Sequence, residues 1–317
     1  MALPLEEKMK FEQGDGGRSF GQVFSSSHID THLLTPSIRY KAAGVNASDE
    51  YGTPDTVEFI NVSKDDALAY PNVVHRTYPS TVDARMESTI KPFVQKSLEV
   101  NNTVLGVFEK KLGLPSGALL DKHLVGQHSG SEARCIRNPP KKTIDGSEKD
   151  KVGIGAHTDF GSLSFLHNRL GGLQVLPPGY EEWQYVRPLP GHAICNVGDA
   201  LTLFSGGILR SNLHRVVPPP GEQALHPRWS LVFFTRPGND IKLRALSEES
   251  ELIKNVLERK SADERAKFDP GSTASEWFAR RIKYQRLNNR TVSSTDSLHP
   301  LFPLIFFPIG TGDMAFQ

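Results

Sequence analysis

The chain is predicted to be mainly β with flanking helices: a double-stranded β-helix, or jelly roll, supported by one long helix. Two observations predict this. From Val152 to Thr235, short runs rich in β-branched and aromatic residues recur between glycine and proline turns, at the spacing of a sandwich or barrel. From Thr81 to Leu112 the period changes. Ile90, Val94, Leu98, Leu105, Phe108 and Leu112 recur at helical steps, and Gly113 follows as a stop.

Taken in order, Leu3 to Gly21 reads as a short charged helix ended by the cluster Gly14, Gly16 and Gly17. Residues 22–39 (QVFSSSHIDTHLLTPSIR) have no sustained period, and they separate GGRSFG from YKAAG. This stretch is expected to be a foreign insert, with His28, Asp30 and His32 a polar-loop coincidence rather than a metal pair. Thr56–Val62 is expected to form an edge strand, and Pro92 to kink the long helix. Arg134–Pro140 is a further strand, and Lys141–Lys151 a solvated, charged loop. Ser162–Leu166, Leu173–Leu176, Trp183–Val186, His192–Val197, Leu201–Phe204, Leu213–Val217 and Trp229–Thr235 complete the strand series. Glu248–Ala266 and Ala274–Leu287 read as two amphipathic helices on the outside.

The chemistry is concentrated in VGIGAHTDFGSLSFL. Successive side chains of an extended segment leave opposite faces, so His157 and Asp159 leave the same one. His214, in SNLHRVV, lies on a later strand-like run. Two imidazoles and a carboxylate gripping one face of an ion form the facial set of a non-haem Fe(II) site. Thiolates are absent, which argues against structural zinc. On HPRWSLVFF, Arg228 and Ser230 also share a face, with Trp229 opposite. A planar guanidinium fork beside a hydroxyl suits a carboxylate, and a dicarboxylate is the expected guest.

In order, HTD, LGGLQV, NVGDALTLFSGG, HRVV and RWS resemble the Fe(II)- and 2-oxoglutarate-dependent dioxygenases, in the isopenicillin-N-synthase-like branch. The resemblance covers roughly Thr53 to Arg290. It implies a jelly-roll domain over 53–290 with its core at 128–237, preceded by a helical and irregular segment 1–52 and followed by an irregular tail 291–317. It further implies Fe(II) held by His157, Asp159 and His214, 2-oxoglutarate at Arg228 and Ser230, and dioxygen as oxidant. The cosubstrate is decarboxylated to succinate while a substrate C–H bond is hydroxylated, desaturated or cyclised. The family often places a tyrosine against the cosubstrate where this chain has Asn138, whose amide can still donate. Phe160, Phe204 and Trp229 lie near the site residues in sequence, but alternation points Phe160 and Trp229 away.

Charge and cysteine usage bound the partners. The 37 basic and 36 acidic residues nearly cancel, which provides no field for a nucleic acid or an anionic membrane. A small-molecule substrate and a monomer are expected. Cys135 and Cys195 are the two cysteines, and the charged start MALPLEEKMKFEQ lacks a secretory apolar core, which fits a cytoplasmic protein. The apolar run Leu301–Ile309 is too short to span a bilayer. Two alternatives remain at this level: a same-fold iron oxidase that does not consume 2-oxoglutarate, and a truncated, inactive product of an imperfect gene model.

Overall fold

The computed structural model describes residues 3–11, 40–49, 51–144 and 152–283. The expectations for 22–39, for the latter part of the 141–151 loop and for the tail 291–317 lie outside the described residues.

Among the described residues, ten strands form two antiparallel sheets. They are β1 (Tyr40–Lys41), β2 (Glu58–Ser63), β3 (Glu132–Asn138), β4 (Ile154–His157), β5 (Leu163–Asn168), β6 (Leu173–Leu176), β7 (Gln184–Tyr185), β8 (Ile194–Val197), β9 (Leu213–Val216) and β10 (Arg228–Thr235). The larger sheet runs β1-β2-β3-β10-β5-β8 and the smaller β4-β9-β6-β7, the two-sheet arrangement expected of a jelly roll.

The central strand β10 shows how sequence alternation builds the layers. Arg228, Ser230 and Val232 are buried, whereas Trp229 and Leu231 are exposed. Val232 packs with Val57, Phe59, Ile136 and Ile154, an apolar cluster that joins the larger sheet to β4 of the smaller one. Phe233 points the other way, into a cluster with Val94 and Leu98 of the long helix. Strand periodicity thus sends alternate residues of β10 to the inter-sheet interior and to the helical layer.

Among the described residues the α-helices are α1 (Leu5–Met9), α2 (Lys64–Ala69), α3 (Ser80–Arg85), α4 (Lys91–Lys111), α5 (Asp199–Phe204), α6 (Glu251–Glu258), α7 (Ala262–Ala266) and α8 (Ala274–Lys283). The predicted long helix is α3 and α4 joined by a π turn at Met86–Ile90. The irregularity lies just ahead of Pro92, the second residue of α4. Gly113 follows α4 with φ +65°, the left-handed geometry of a helix stop. No helix among the described residues is long and apolar enough to cross a membrane.

Three expectations need correction. Leu201–Phe204 is not a strand but the end of α5, and Ala200 through Phe204 are all buried. A short apolar run with both faces covered has no period that separates helix from strand. Gly198 in extended backbone begins this helix, and Asp199 in its first turn suits the positive end of the peptide dipoles. Thr56–Val62 supplies β2, yet β1 covers its outer side, pairing Tyr40 with Ile60 and Lys41 with Phe59. The predicted helix Glu248–Ala266 is two helices, because Ser261 starts α7 with a capping box to Glu264.

Gly198 sits where two backbone segments nearly touch. Its N–H donates to Ser162 O at 2.9 Å, while Asp199 N donates to Asp159 O at 2.8 Å and Ala200 N to Gly161 O at 2.9 Å. A Cβ at Gly198 would lie 2.2 Å from Gly161 O and 3.0 Å from Asp159 O, both fixed backbone atoms. Gly198→Ala should therefore destabilise the fold by about 1–3 kcal/mol through overpacking. Urea denaturation checks this as a lowered midpoint at unchanged slope; an unchanged midpoint would mean that the two segments part without cost.

Candidate active site

The antiparallel pairing of β4 with β9 sets His157 directly opposite His214. Directly opposed residues project from one face of a sheet, so the two rings meet with centroids 4.2 Å apart. Asp159, just past the end of β4, turns its Oδ1 toward both: 3.8 Å from His157 Nε2 and 3.7 Å from His214 Nε2. These three ligand atoms lie within 4.8 Å of one another.

The remaining polar atoms of the three residues are all engaged. His157 Nδ1 bonds Gly155 O at 2.8 Å and His214 Nδ1 bonds Asn212 O at 3.2 Å. A neutral ring whose Nδ1 faces a carbonyl carries its proton there, which puts the Nε2 lone pair on the side of Asp159 Oδ1. The other carboxylate oxygen, Oδ2, accepts from Ser164 Oγ at 2.6 Å and Asn196 Nδ2 at 2.7 Å. Burial and the neighbouring His214 hold the His157 pKa down to about 4, so its imidazole is neutral near pH 7. Desolvation opposes ionisation of Asp159, but the two imidazoles, Asn196 and Ser164 outweigh it and keep the carboxyl near 2. Two imidazoles and one carboxylate are the hard and borderline donors that suit ferrous iron.

Arg228 and Ser230 also meet as expected. Arg228 is buried. Its Nε donates to Gly171 O at 2.7 Å and its Nη1 to Ser230 Oγ at 2.6 Å. Burial lowers its pKa only to about 10, so the side chain stays cationic at neutral pH. Nη2 is buried with no hydrogen-bond partner, and no carboxylate pairs with Arg228 among the described residues. Asn138 lies opposite Arg228 in the β3–β10 register and is also buried, its Oδ1 unpartnered. A buried guanidinium with an unsatisfied donor fits an anionic group supplied from outside the chain. Phe160 and Trp229 point away: Phe160 packs edge-on against Phe278 at 6.4 Å, and Trp229 is exposed. Phe204 belongs to the core around α4 and α5.

Residues 131–237 match the family model described as the 2OG-Fe(II) oxygenase superfamily. The match spans β3 through β10, the stretch that carries His157, Asp159, His214, Arg228 and Ser230. Among similar proteins, a 2-oxoglutarate-dependent dioxygenase of Aspergillus fumigatus is 34% identical over 67% of this chain and 58% of the relative. Another, from Dothideomycetidae sp., is 29% identical over 81% of this chain and 71% of its own length. The aligned part of this chain therefore spans between a half and three quarters of those two relatives. A full-length Neurospora crassa protein, whose crystal structure was solved in complex with alpha-KG, superposes with a TM-score of 0.63 at 21% identity, covering 88% of this chain and 78% of that one. At that identity the likeness shows the fold alone.

Sequence reasoning missed the residues that hold this site in place. Asn196, Ser164 and Asp199 carry no ligand signature, although Asn196 and Asp199 stand in the NVGD motif. Asp199 accepts from Ser211 Oγ at 2.6 Å, Thr158 Oγ1 at 3.1 Å and Arg281 Nη2 at 2.6 Å. Thr158 separates the two HTD ligands, Ser211 lies three residues before His214, and Arg281 belongs to α8. Burial pushes the Asp199 carboxyl up, and Arg281 counters it. Arg281→Ala would leave this carboxylate buried without its cation, at a cost of about 3 kcal/mol. The expected result is a lower urea midpoint and iron lost faster on dialysis than from the parent chain, with Arg281→Lys recovering part of both. Unchanged iron retention would confine Arg281 to docking α8.

Proposed function

We propose that the chain is a non-haem Fe(II)- and 2-oxoglutarate-dependent dioxygenase that oxidises a C–H bond of a small organic molecule. The observation that carries this is the convergence of His157 Nε2, His214 Nε2 and Asp159 Oδ1 on one point, with every other polar atom of the three residues engaged elsewhere. In this reading those atoms hold Fe(II), and Arg228 binds the distal carboxylate of 2-oxoglutarate through the unpartnered Nη2, with the Ser230 hydroxyl free to donate beside it. Asn138 lends an amide on the same face.

When bound, the iron and 2-oxoglutarate supply oxidative chemistry: dioxygen is consumed, the cosubstrate leaves as succinate and carbon dioxide, and the substrate is oxidised. The chain's contribution is charge and placement. Asp159 and the cosubstrate dianion together offset the ferrous ion and the Arg228 cation, so the assembled site carries no net charge and tolerates burial. Ser164 and Asn196 fix the Asp159 carboxylate so that one oxygen alone faces the metal position. The two backbone carbonyls keep the imidazoles in the tautomer that can ligate. The near-neutral chain suits an uncharged or weakly charged organic substrate.

Anaerobic titration with Fe(II) and 2-oxoglutarate tests the reading through the visible charge-transfer band of the chelate. His214→Ala should bind no stoichiometric iron and form no succinate, since two protein ligands remain of three. A His214→Ala protein with full iron and parental succinate formation would refute the metal assignment. Arg228→Ala should keep its iron but weaken 2-oxoglutarate by about 2–5 kcal/mol, read from the same titration, and Arg228→Lys should recover only part for want of a planar fork. Unchanged 2-oxoglutarate affinity in Arg228→Ala, with turnover lost, would instead favour an oxidase that takes its electrons elsewhere.

A further inference from the structure

A second cluster of ligand atoms lies outside the oxygenase centre. Asp65 in the first turn of α2, His75 in the loop after that helix and His128 ahead of β3 bring one carboxylate oxygen and two ring nitrogens within 4.8 Å of one another. Asp65 Oδ2 lies 2.8 Å from His75 Nε2 and 3.3 Å from His128 Nδ1, and the two rings meet edge-on with centroids 5.5 Å apart. Donors at about 2.0–2.1 Å from one tetrahedral ion lie about 3.3 Å apart, so small ring rotations suffice to accommodate one. We propose that Asp65, His75 and His128 form a second metal site for a divalent transition ion of the zinc class, separate from the iron centre.

Each ligand is fixed by its own backbone anchors, as a site rather than a chance encounter requires. Ser63 caps α2, accepting from Asp65 N and Asp66 N, and sets the Asp65 side chain at the helix start. Asp66 Oδ1 accepts from Val74 N at 3.1 Å and His75 N at 2.7 Å, and Asp66 Oδ2 accepts from Tyr78 Oη at 2.8 Å, so the loop bearing His75 is fastened to α2. Asn239 N donates to His128 O at 2.8 Å, and Ser129 bridges Gly238. Lys64 Nζ reaches Val125 O at 2.9 Å, Gln127 O at 2.6 Å and Asp65 Oδ1 at 2.9 Å. That leaves Oδ2, which also accepts from Ser129 N at 3.3 Å, as the oxygen facing the imidazoles, the outer-sphere support that metal-binding carboxylates need. Imidazole with a single carboxylate selects zinc, nickel, cobalt or copper over calcium and magnesium, which need more oxygens. The His128 side chain is 64% exposed, which opens the fourth position to water. An ion here would tie α2, the His75 loop and the His128 loop into one unit.

The test is equilibrium dialysis of the metal-stripped full chain against Zn(II), with bound zinc measured per chain. The parent should hold two equivalents, His128→Ala one, His214→Ala one, and the double variant none. In the His214→Ala background, saturating zinc should raise the unfolding midpoint by about 5 °C, and His128→Ala should abolish that shift. His128 is solvent-facing, so its removal should leave the fold and the oxygenase turnover intact. Cobalt(II) titration of the unmodified chain supplies a readout that needs no variant: a second equivalent with its own visible absorption. One equivalent in the parent, or two in His128→Ala, would overturn the proposal and leave the cluster a hydrogen-bonded clamp. Neither result touches the iron assignment, which rests on His214.

Discussion

The register that pairs His157 with His214 across β4 and β9 is the constraint on which the rest of the site depends. Side chains alternate with a period of two, so a slip of one residue would turn one imidazole to the opposite face and dissolve the cluster. Register is held where burial is asymmetric. Val216 of β9 is buried and pairs with Ile154 of β4 on one side and Leu173 of β6 on the other, and between that pair and His157–His214 a bulge lets three residues of β4 span two of β9. Packing away from the ligands thus decides whether they meet.

Asp159 shows how the larger sheet completes what the smaller one begins. Its carboxylate arrives from the end of β4, but Ser164 on β5 and Asn196 on β8 hold its second oxygen, and both strands belong to the six-stranded sheet. The ligand set therefore exists only when the two sheets are stacked. The Gly198–Gly161 approach and the Asp199 network tie the same region to α5 and α8. The site is a junction of elements far apart in the chain, so its geometry reports on the whole fold.

That dependence explains what could be read from the sequence. Residue type and spacing disclosed His157, Asp159, His214, Arg228 and Ser230, because imidazole, carboxylate and guanidinium have few uses in apolar strands and alternation fixes which ones share a face. Ser164, Asn196 and Arg281 were illegible: an ordinary serine, amide or arginine acquires a role only from the partner that tertiary packing brings within hydrogen-bonding reach. The apolar run Leu201–Phe204 misled for a related reason, since burial on all sides erases the periodicity that names an element. Asp65, His75 and His128 gave no signal either. Their separations match no local motif, and the loops that unite them carry no regular period.

The two histidine–carboxylate clusters share ligand chemistry but differ in what holds the carboxylate. Asp159 is supported by neutral donors, an amide and a hydroxyl, which orient it without consuming its charge. Asp65 is supported by the Lys64 ammonium, which neutralises part of that charge and repels an arriving cation. Shielding differs in the same sense: the Asp159 cluster is largely enclosed, whereas His128 opens the other to water, where attraction is screened. Both effects make the Asp159 cluster the tighter site. A limiting supply of metal should therefore fill the iron centre before the α2 junction, and a mild chelator should empty them in the reverse order.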